Sequence, residues 1–421
     1  MKVTLDYGTD GLEVDFPDKG TTVIEPAYPP GVDDPEETLR QALASPIDAR
    51  PPREIVKAGQ RVAISVCDGT RPQPRALMLG ALFESMPDLR PEDVVILIAT
   101  GTHRANTDVE LRAMLGDDIF ERYRIVNHDA RDDSTLASLG ESSNGVPVFL
   151  NREWSDADVR ITTGFVEPHF FAGFSGGPKM AAPGLAGLET TMVLHDARHV
   201  GHPQATWGVT EGNPIHDDVR DIARMTGVDF AFDVTLNGEK EITAAFAGEL
   251  FAEHRAACET SMREAMREVP ERFDVVVTTN SGFPLDQNLY QAIKGMSAAA
   301  KVVRDGGVIL CAAECRDGLP DHGAYAELLK RRSSPDELLE MVHAPGFREP
   351  DQWQIQVQSQ IQKRARVRVK TSYLSEQVLR SAHFEPMDDV SAAARRALEQ
   401  AGEGATLCVL PRGPQTIPYV G

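Results

Sequence analysis

The sequence predicts an α/β protein of two domains, each built from Rossmann-like βαβ units, with a cleft between them. Three observations carry that expectation. A chain of 421 residues exceeds what one hydrophobic core usually organises. From Gln60 onward, apolar runs of strand length alternate with helical patterns. At Asp274, after a long helical stretch, the same alternation starts afresh, as it does where a second domain begins.

Each element follows from local chemistry. Residues 2–16 alternate around Thr9-Asp10-Gly11 and read as a hairpin. The Pro/Gly-rich stretch 25–34 is a connector, and ETLRQALA after it is a short helix. RVAISVCD reads as a fully buried strand, PRALMLGALFESM as a helix and DVVILIATGTHR as the next strand, which makes one βαβ unit. Further strands are expected at RYRIVNHD and DVRITTGFVEP, with a small β excursion around VPVFLN between them. LAGLETTMVLHDARH reads as a helix that places His195 and His199, four apart, on one face. Asn213 as N-cap, Pro214 in the first turn and Gly227 as stop bracket another helix. DFAFDVTLNGEKEITAAFAG reads as a hairpin with a type I′ turn at Asn237-Gly238. FAEHRAACETSMREAMREV reads as one long helix with His254 on its solvated side.

In the second half, DVVVTTNSG and GGVILCAAE are strands flanking the helix LYQAIKGMSAAAKVV. The stretch from DELLEMV to QKRARV is helical, RVRVKTSYL is a strand, and the chain closes on a helix plus a strand. The expected domains are 1–270 and 273–405, with the tail 406–421 returning to the first.

Composition narrows the function classes. The chain is 41% hydrophobic and 25% charged, as soluble globular proteins are. No apolar run approaches the ~20 residues that span a bilayer, and MKVTLDYGTDG lacks signal-peptide character. Cys67, Cys258, Cys311, Cys315 and Cys408 are scattered and form no CxxC pair, so a reducing cytoplasm is expected. A net charge of -21 argues against nucleic acid and anionic membranes as partners. An anionic substrate would need a locally basic pocket.

The richest stretch is Val166–His202, which holds four of the eleven histidines, with Lys179 and six glycines. Gly176 and Gly177 permit positive φ and close backbone approach, and Pro178 fixes the turn that presents Lys179. The spacing does not match a phosphate loop, because Pro178 precedes the lysine and Met180 follows it. Nor does HDARH match a zinc-protease helix, since Asp196 stands where the general base belongs. Two readings remain open: a glycine-rich turn with structural histidines, and a covalent lysine paired with a metal-ligating histidine. Upstream, DGTR (Asp68–Arg71) and GTHR (Gly101–Arg104) fall at strand ends, where ligands bind in α/β folds, so these loops should converge. Arg71 is suited to clamp a carboxylate bidentately. His128, also at a strand end, reads as structural or supporting.

The combination EPHFFAGFSGGPK…PG…H with DGTR and GTHR upstream resembles the lactate racemase family that uses the nickel-pincer nucleotide. The resemblance runs from about residue 10 to the C-terminus. It implies a racemase or epimerase of a 2-hydroxy acid. The cofactor would be the Ni(II) pyridinium-3-thioamide-5-thiocarboxylic acid mononucleotide, attached covalently to Lys179, with His195 as the protein ligand to nickel. Square-planar coordination with soft donors suits Ni(II). The resemblance further implies His103 and His169 as the two acid/bases, with Asp68, Gly101, Thr102, Gly176 and Gly177 around the cofactor. Arg71, Tyr290, Gln291, Lys294 and Trp353 would contact substrate, and cofactor-maturation enzymes would be partners. His216 reads as packing. One departure stands out: many relatives carry Arg where this chain has Pro178.

Two competing functions are a nicotinamide-dependent 2-hydroxy acid dehydrogenase and a non-catalytic nucleotide-binding protein of the same fold. The first needs GxGxxG after the first strand, and CDGTRPQP lacks it. The second would be favoured by substitution of Lys179, His195, His103 or His169, and all four are present.

Overall fold

A computed structural model describes residues 1–320 and 323–421. The fold is α/β, and its described residues divide into two compact units. One unit comprises Tyr28–Leu194 and Gln204–Glu264; the other comprises Met1–Ala27, His195–Pro203 and Ala265–Gly421.

The first of these holds a six-stranded sheet in the order Ile242–Gly248, Phe230–Leu236, Val159–Phe165, Val62–Cys67, Val94–Ala99, Arg124–Asn127. All neighbours run parallel except the antiparallel edge pair Phe230–Leu236 and Ile242–Gly248. Parallel strands covered on both faces need apolar residues without alternation. Val62–Cys67 obliges, buried at every position. Ile64, Ile96, Ile161 and Phe232 pack with Leu79 and Leu82 of the helix Arg75–Glu84 in one core. Parallel order puts the carboxyl ends of Val159–Phe165, Val62–Cys67 and Val94–Ala99 side by side at one edge of the sheet.

The second unit has its own six-stranded, all-parallel sheet in the order Glu385–Pro386, Arg366–Lys370, Val303–Ala312, Phe273–Thr279, Leu407–Leu410, Thr21–Val23. Its outermost strand comes from the N-terminus. The hairpin Lys2–Leu5/Leu12–Asp15 also belongs here, with Leu5, Val14 and Phe16 packed against Val275, Leu310 and Ala393. The division expected at 1–270 and 273–405 is therefore revised at both ends. Residues 1–27 join the C-terminal half, and the tail 406–421 stays in it, because Leu407–Leu410 pairs with both Val275–Thr278 and Thr21–Val23.

Three local expectations also give way. The helix expected across His195 stops at Leu194, and a short new one starts at Ala197. Asp196 causes the break: its carboxylate accepts the His199 N–H at 2.8 Å as an N-cap. His195 thus sits in a turn and does not share a helical face with His199. The hairpin at Asn237 is no I′ turn, which needs positive φ at both central residues. Lys240, and not Gly238, has positive φ, and the Lys240 N–H closes the turn onto the Asn237 carbonyl at 3.0 Å. The long helix ends at Ala265, and Met266–Val269 becomes a strand beside Ile417–Val420.

Candidate functional site

The loops DGTR and GTHR converge as their strand ends require. Asp68 is buried, and its Oδ2 lies 2.9 Å from Nδ1 of the half-exposed His103. Its Oδ1 accepts the Thr70 hydroxyl at 2.8 Å. Burial works to raise the Asp68 pKa, but the hydrogen bond and charge of His103, with Thr70 and Arg71, outweigh it and hold the carboxyl below its ordinary value. An ionised carboxylate can only accept, so His103 donates from Nδ1 and keeps Nε2 as its acceptor.

The partly buried Arg71 stands on this loop, its N–H on the Asp68 carbonyl. What fixes the loop is a residue that the motif reading missed. The buried Arg75 guanidinium donates to the carbonyls of Cys67, Gln73, Arg71 and Asp68. Gly101 has φ of 56° and donates to the Gly184 carbonyl at 3.0 Å, while the Thr102 carbonyl accepts from Arg131. His128 is structural, as its ring bonds the Ala186 carbonyl at 2.9 Å and Asn151 at 3.3 Å.

His169 follows the next strand, in the two-residue ladder Pro168–His169/Gly173–Phe174. Its Nδ1 accepts the N–H of Ala172 at 3.2 Å and of Phe171 at 3.5 Å. Its ring packs on Phe170 and edge-on to Phe171. With backbone donors at Nδ1, the neutral imidazole carries its hydrogen on Nε2.

Lys179 lies on a 3₁₀ turn, Gly177–Met180, in which Pro178 occupies the first turn. Gly176 and Gly177 have φ of 72° and 50°, as a tight glycine turn requires. The turn leans on the same strand ends: Met180 Sδ is 3.7 Å from Cys67 Sγ, and the next loop supplies the Gly184 carbonyl to Gly101. From beneath, Asp233 Oδ2 accepts the Gly177 N–H at 2.6 Å, and His254 Nε2 donates to the Ser175 carbonyl at 2.8 Å.

The expectation that His254 faces solvent is corrected, since it is 4% exposed. The helix Leu250–Ala265 turns that side toward the glycine turn, where the missing Cβ of Gly177 makes room for the ring. Burial pushes His254 down to about 4, and the nearby Lys179 charge adds to this. Burial likewise lowers His216, stacked on His254 at 5.7 Å, to about 3, with the charges of His254, Arg220 and Lys179 adding to it. Packing is thus the observed setting of His216. Burial raises Asp233 to about 7.

The remaining candidates belong to the second unit. His195 follows the end of the helix Leu188–Leu194, its ring 5.1 Å from Trp353. Gln352 donates to the His195 carbonyl at 3.4 Å, and Gln356 to that of Ala197 at 2.8 Å. Trp353 Nε1 donates to the Tyr290 hydroxyl at 3.1 Å. Tyr290, Gln291 and Lys294 occupy the first turns of the helix Leu289–Ala300, capped by Asn288. Tyr290 and Lys294, four apart, share a face. Buried glutamines at 352, 354, 356 and 358 are the surprise of the helix Gln352–Arg364, and alternation of Gln with apolar residues gave no hint of them.

Comparison with known proteins shows what the chain is similar to. Residues 7–208 match the model of the lactate racemase N-terminal domain, and residues 269–417 that of the lactate racemase C-terminal domain. A lactate racemase of Thermoanaerobacterium thermosaccharolyticum is 32% identical over 99% of this chain and 98% of its own. One of Lactiplantibacillus plantarum is 33% identical over 90% of this chain and 89% of its own. The solved structure of the T. thermosaccharolyticum lactate racemase apoprotein superimposes with a TM-score of 0.92 at 31% identity, covering 100% of both chains.

Proposed function

The chain belongs to the lactate racemase family, and from that premise we propose that it racemises or epimerises a 2-hydroxy acid, with lactate the first substrate to test. The observation that carries the reading is the Asp68–His103 pair beside Arg71, at the strand ends on which the Lys179 turn rests.

The family's nickel-pincer nucleotide fits the residues present. Among the described residues, no group of three or more His, Cys, Asp or Glu is placed to hold a metal ion. A metal here would therefore draw most of its donors from a bound group, which suits a cofactor that brings its own soft ligands. Lys179 would hold that group by a thioamide bond, and the His195 imidazole would supply the protein donor. When bound, the cofactor supplies a reversible hydride acceptor for carbon 2, whose C–H is not acidic enough for a simple base.

The chain's own residues do the rest. Arg71 clamps the substrate carboxylate, and Lys294 adds charge. Tyr290 and Gln291 orient the substrate, with the Tyr290 hydroxyl fixed by Trp353. His103 takes the hydroxyl proton at Nε2 while Asp68 stabilises the imidazolium. On the opposite face His169 would return the hydroxyl proton from Nε2 in its protonated, imidazolium form. Gly101, Thr102, Gly176 and Gly177 let the backbone approach the nucleotide closely.

The test is production with cofactor-building enzymes, followed by intact mass, nickel content and a chiral assay over several 2-hydroxy acids. Wild type should gain the cofactor mass, bind nickel and interconvert enantiomers, and Lys179→Ala should do none of these. Full racemisation by Lys179→Ala would remove the covalent-lysine reading.

A further inference from the structure

The Phe174–Lys179 turn is held from its buried side by two side chains 56 and 79 residues further along the chain. Asp233 comes from the strand Phe230–Leu236 and is fully buried. One carboxyl oxygen takes the Gly177 N–H at 2.6 Å, and the other faces the backbone of Gly164. His254, from the helix Leu250–Ala265, fastens the turn two residues earlier, at the Ser175 carbonyl.

Both contacts are tight enough to exclude other side chains. A Cβ on Gly177 would lie 2.4 Å from the His254 ring, and one on Gly176 would lie 2.9 Å from the Asp233 carboxylate. The glycines therefore serve the clamp as much as the positive φ. Behind it stands Glu253, fully buried, its carboxyl facing the backbone N–H of Asp233.

We propose that Asp233 and His254 are positioning residues for Lys179, setting the place of its amine by gripping the turn at Gly177 and Ser175. Neither touches substrate. The importance of that placement rests on the reading of Lys179 as the cofactor-bearing residue; the clamp itself does not.

The test uses the full chain in two forms. On the apoprotein, hydrogen exchange is followed at Gly176–Met180, with acetylation of Lys179 by an N-hydroxysuccinimide ester measured against exposed Lys240. On protein made with the cofactor-building enzymes, the fraction carrying added mass at Lys179 is measured. Asp233→Ala and His254→Ala should each speed exchange at Gly177 about tenfold or more and raise relative Lys179 acetylation. Both should also lower the loaded fraction.

Asp233→Asn, whose amide oxygen still accepts the Gly177 N–H, and His254→Gln, which still donates, should restore near wild-type values in every readout. A merely structural role predicts no such pattern at one turn. Unchanged exchange and acetylation in both alanine variants would overturn the clamp. Faster exchange with no mass on any protein, wild type included, would support the clamp while removing the cofactor reading. Should Asp233→Ala fail to fold, the His254 pair and Asp233→Asn decide the matter.

Discussion

His103 and His169 are the same side chain held in opposite ways. His103 gives its Nδ1 hydrogen to an ionised Asp68 and keeps Nε2 as an acceptor. His169 accepts backbone N–H groups at Nδ1, so its neutral ring carries hydrogen on Nε2. On the proposed reading the first is set to take a proton, whereas the second must be protonated before it can give one from Nε2. A racemase must exchange those roles whenever it runs in the other direction. For His103 the exchange is eased by the carboxylate behind it. For His169 it means giving up two long backbone contacts, about 1 kcal/mol each at most. On the proposed reading, then, two imidazoles need not be equivalent to serve two faces of one substrate.

The strongest challenge to this contrast is removal of each ring. In a cofactor-loaded enzyme, His103→Ala and His169→Ala should each lower kcat by about 10²–10⁴-fold in a chiral assay, the range for a lost acid/base. Loss of activity in only one would break the two-base reading.

Next in size is Asp68→Asn. An amide can donate to Nδ1 and leave the hydrogen on Nε2, so kcat should fall by about 10–10²-fold. Imidazole ¹⁵N spectra should show His103 as the Nδ1–H tautomer in wild type and shifted in the variant, with His169 in the Nε2–H form in both. A His169 signal of the Nδ1–H type would erase the contrast.

Arg75→Met loosens the Asp68 loop by removing four carbonyl contacts. Stability should drop by about 2–3 kcal/mol in denaturant unfolding, with a larger effect on KM than on kcat. Lys at 75 should recover part of the loss.

The smallest effect at working pH lies on the His169 side, at His254. Its folded pKa of about 4 is below the ordinary histidine value, so the folded state binds fewer protons than the unfolded one. Its contribution is intact above pH 6.5 and is lost as pH falls toward 4, about 3 kcal/mol at most. Thermal melts across that window should therefore show a steeper acid loss for wild type than for His254→Gln. Asp233, raised to about 7, has the opposite slope and costs stability as pH rises from 4 to 7. Asp233→Asn should flatten that limb.

How far the chain could be read in advance follows from the range of each interaction. DGTR, GTHR and the glycine turn are local: a strand end plus a short loop already dictates where Asp68, His103 and Lys179 stand. Asp233 and His254 act on that turn from distant elements, and nothing in FAEHRAAC separates a buried histidine from a solvated one. Arg75 opens a helix, and nothing in PRALMLGALF shows that its guanidinium will collect four loop carbonyls. The helix break at His195 was signalled by Asp196, whose capping tendency the apolar spacing concealed. The N-terminal strand Thr21–Val23 was hidden for another reason, since its partner Leu407–Leu410 lies at the far end of the chain.

The most direct trial of the central claim is to racemise a 2-hydroxy acid deuterated at carbon 2 in ordinary water with the loaded enzyme, and weigh the product enantiomer. If His103 and His169 handle only the hydroxyl proton, deuterium stays on carbon 2 through inversion. Its replacement by solvent hydrogen would show that one of these histidines removes the carbon-bound proton, and the division of labour described above would be wrong.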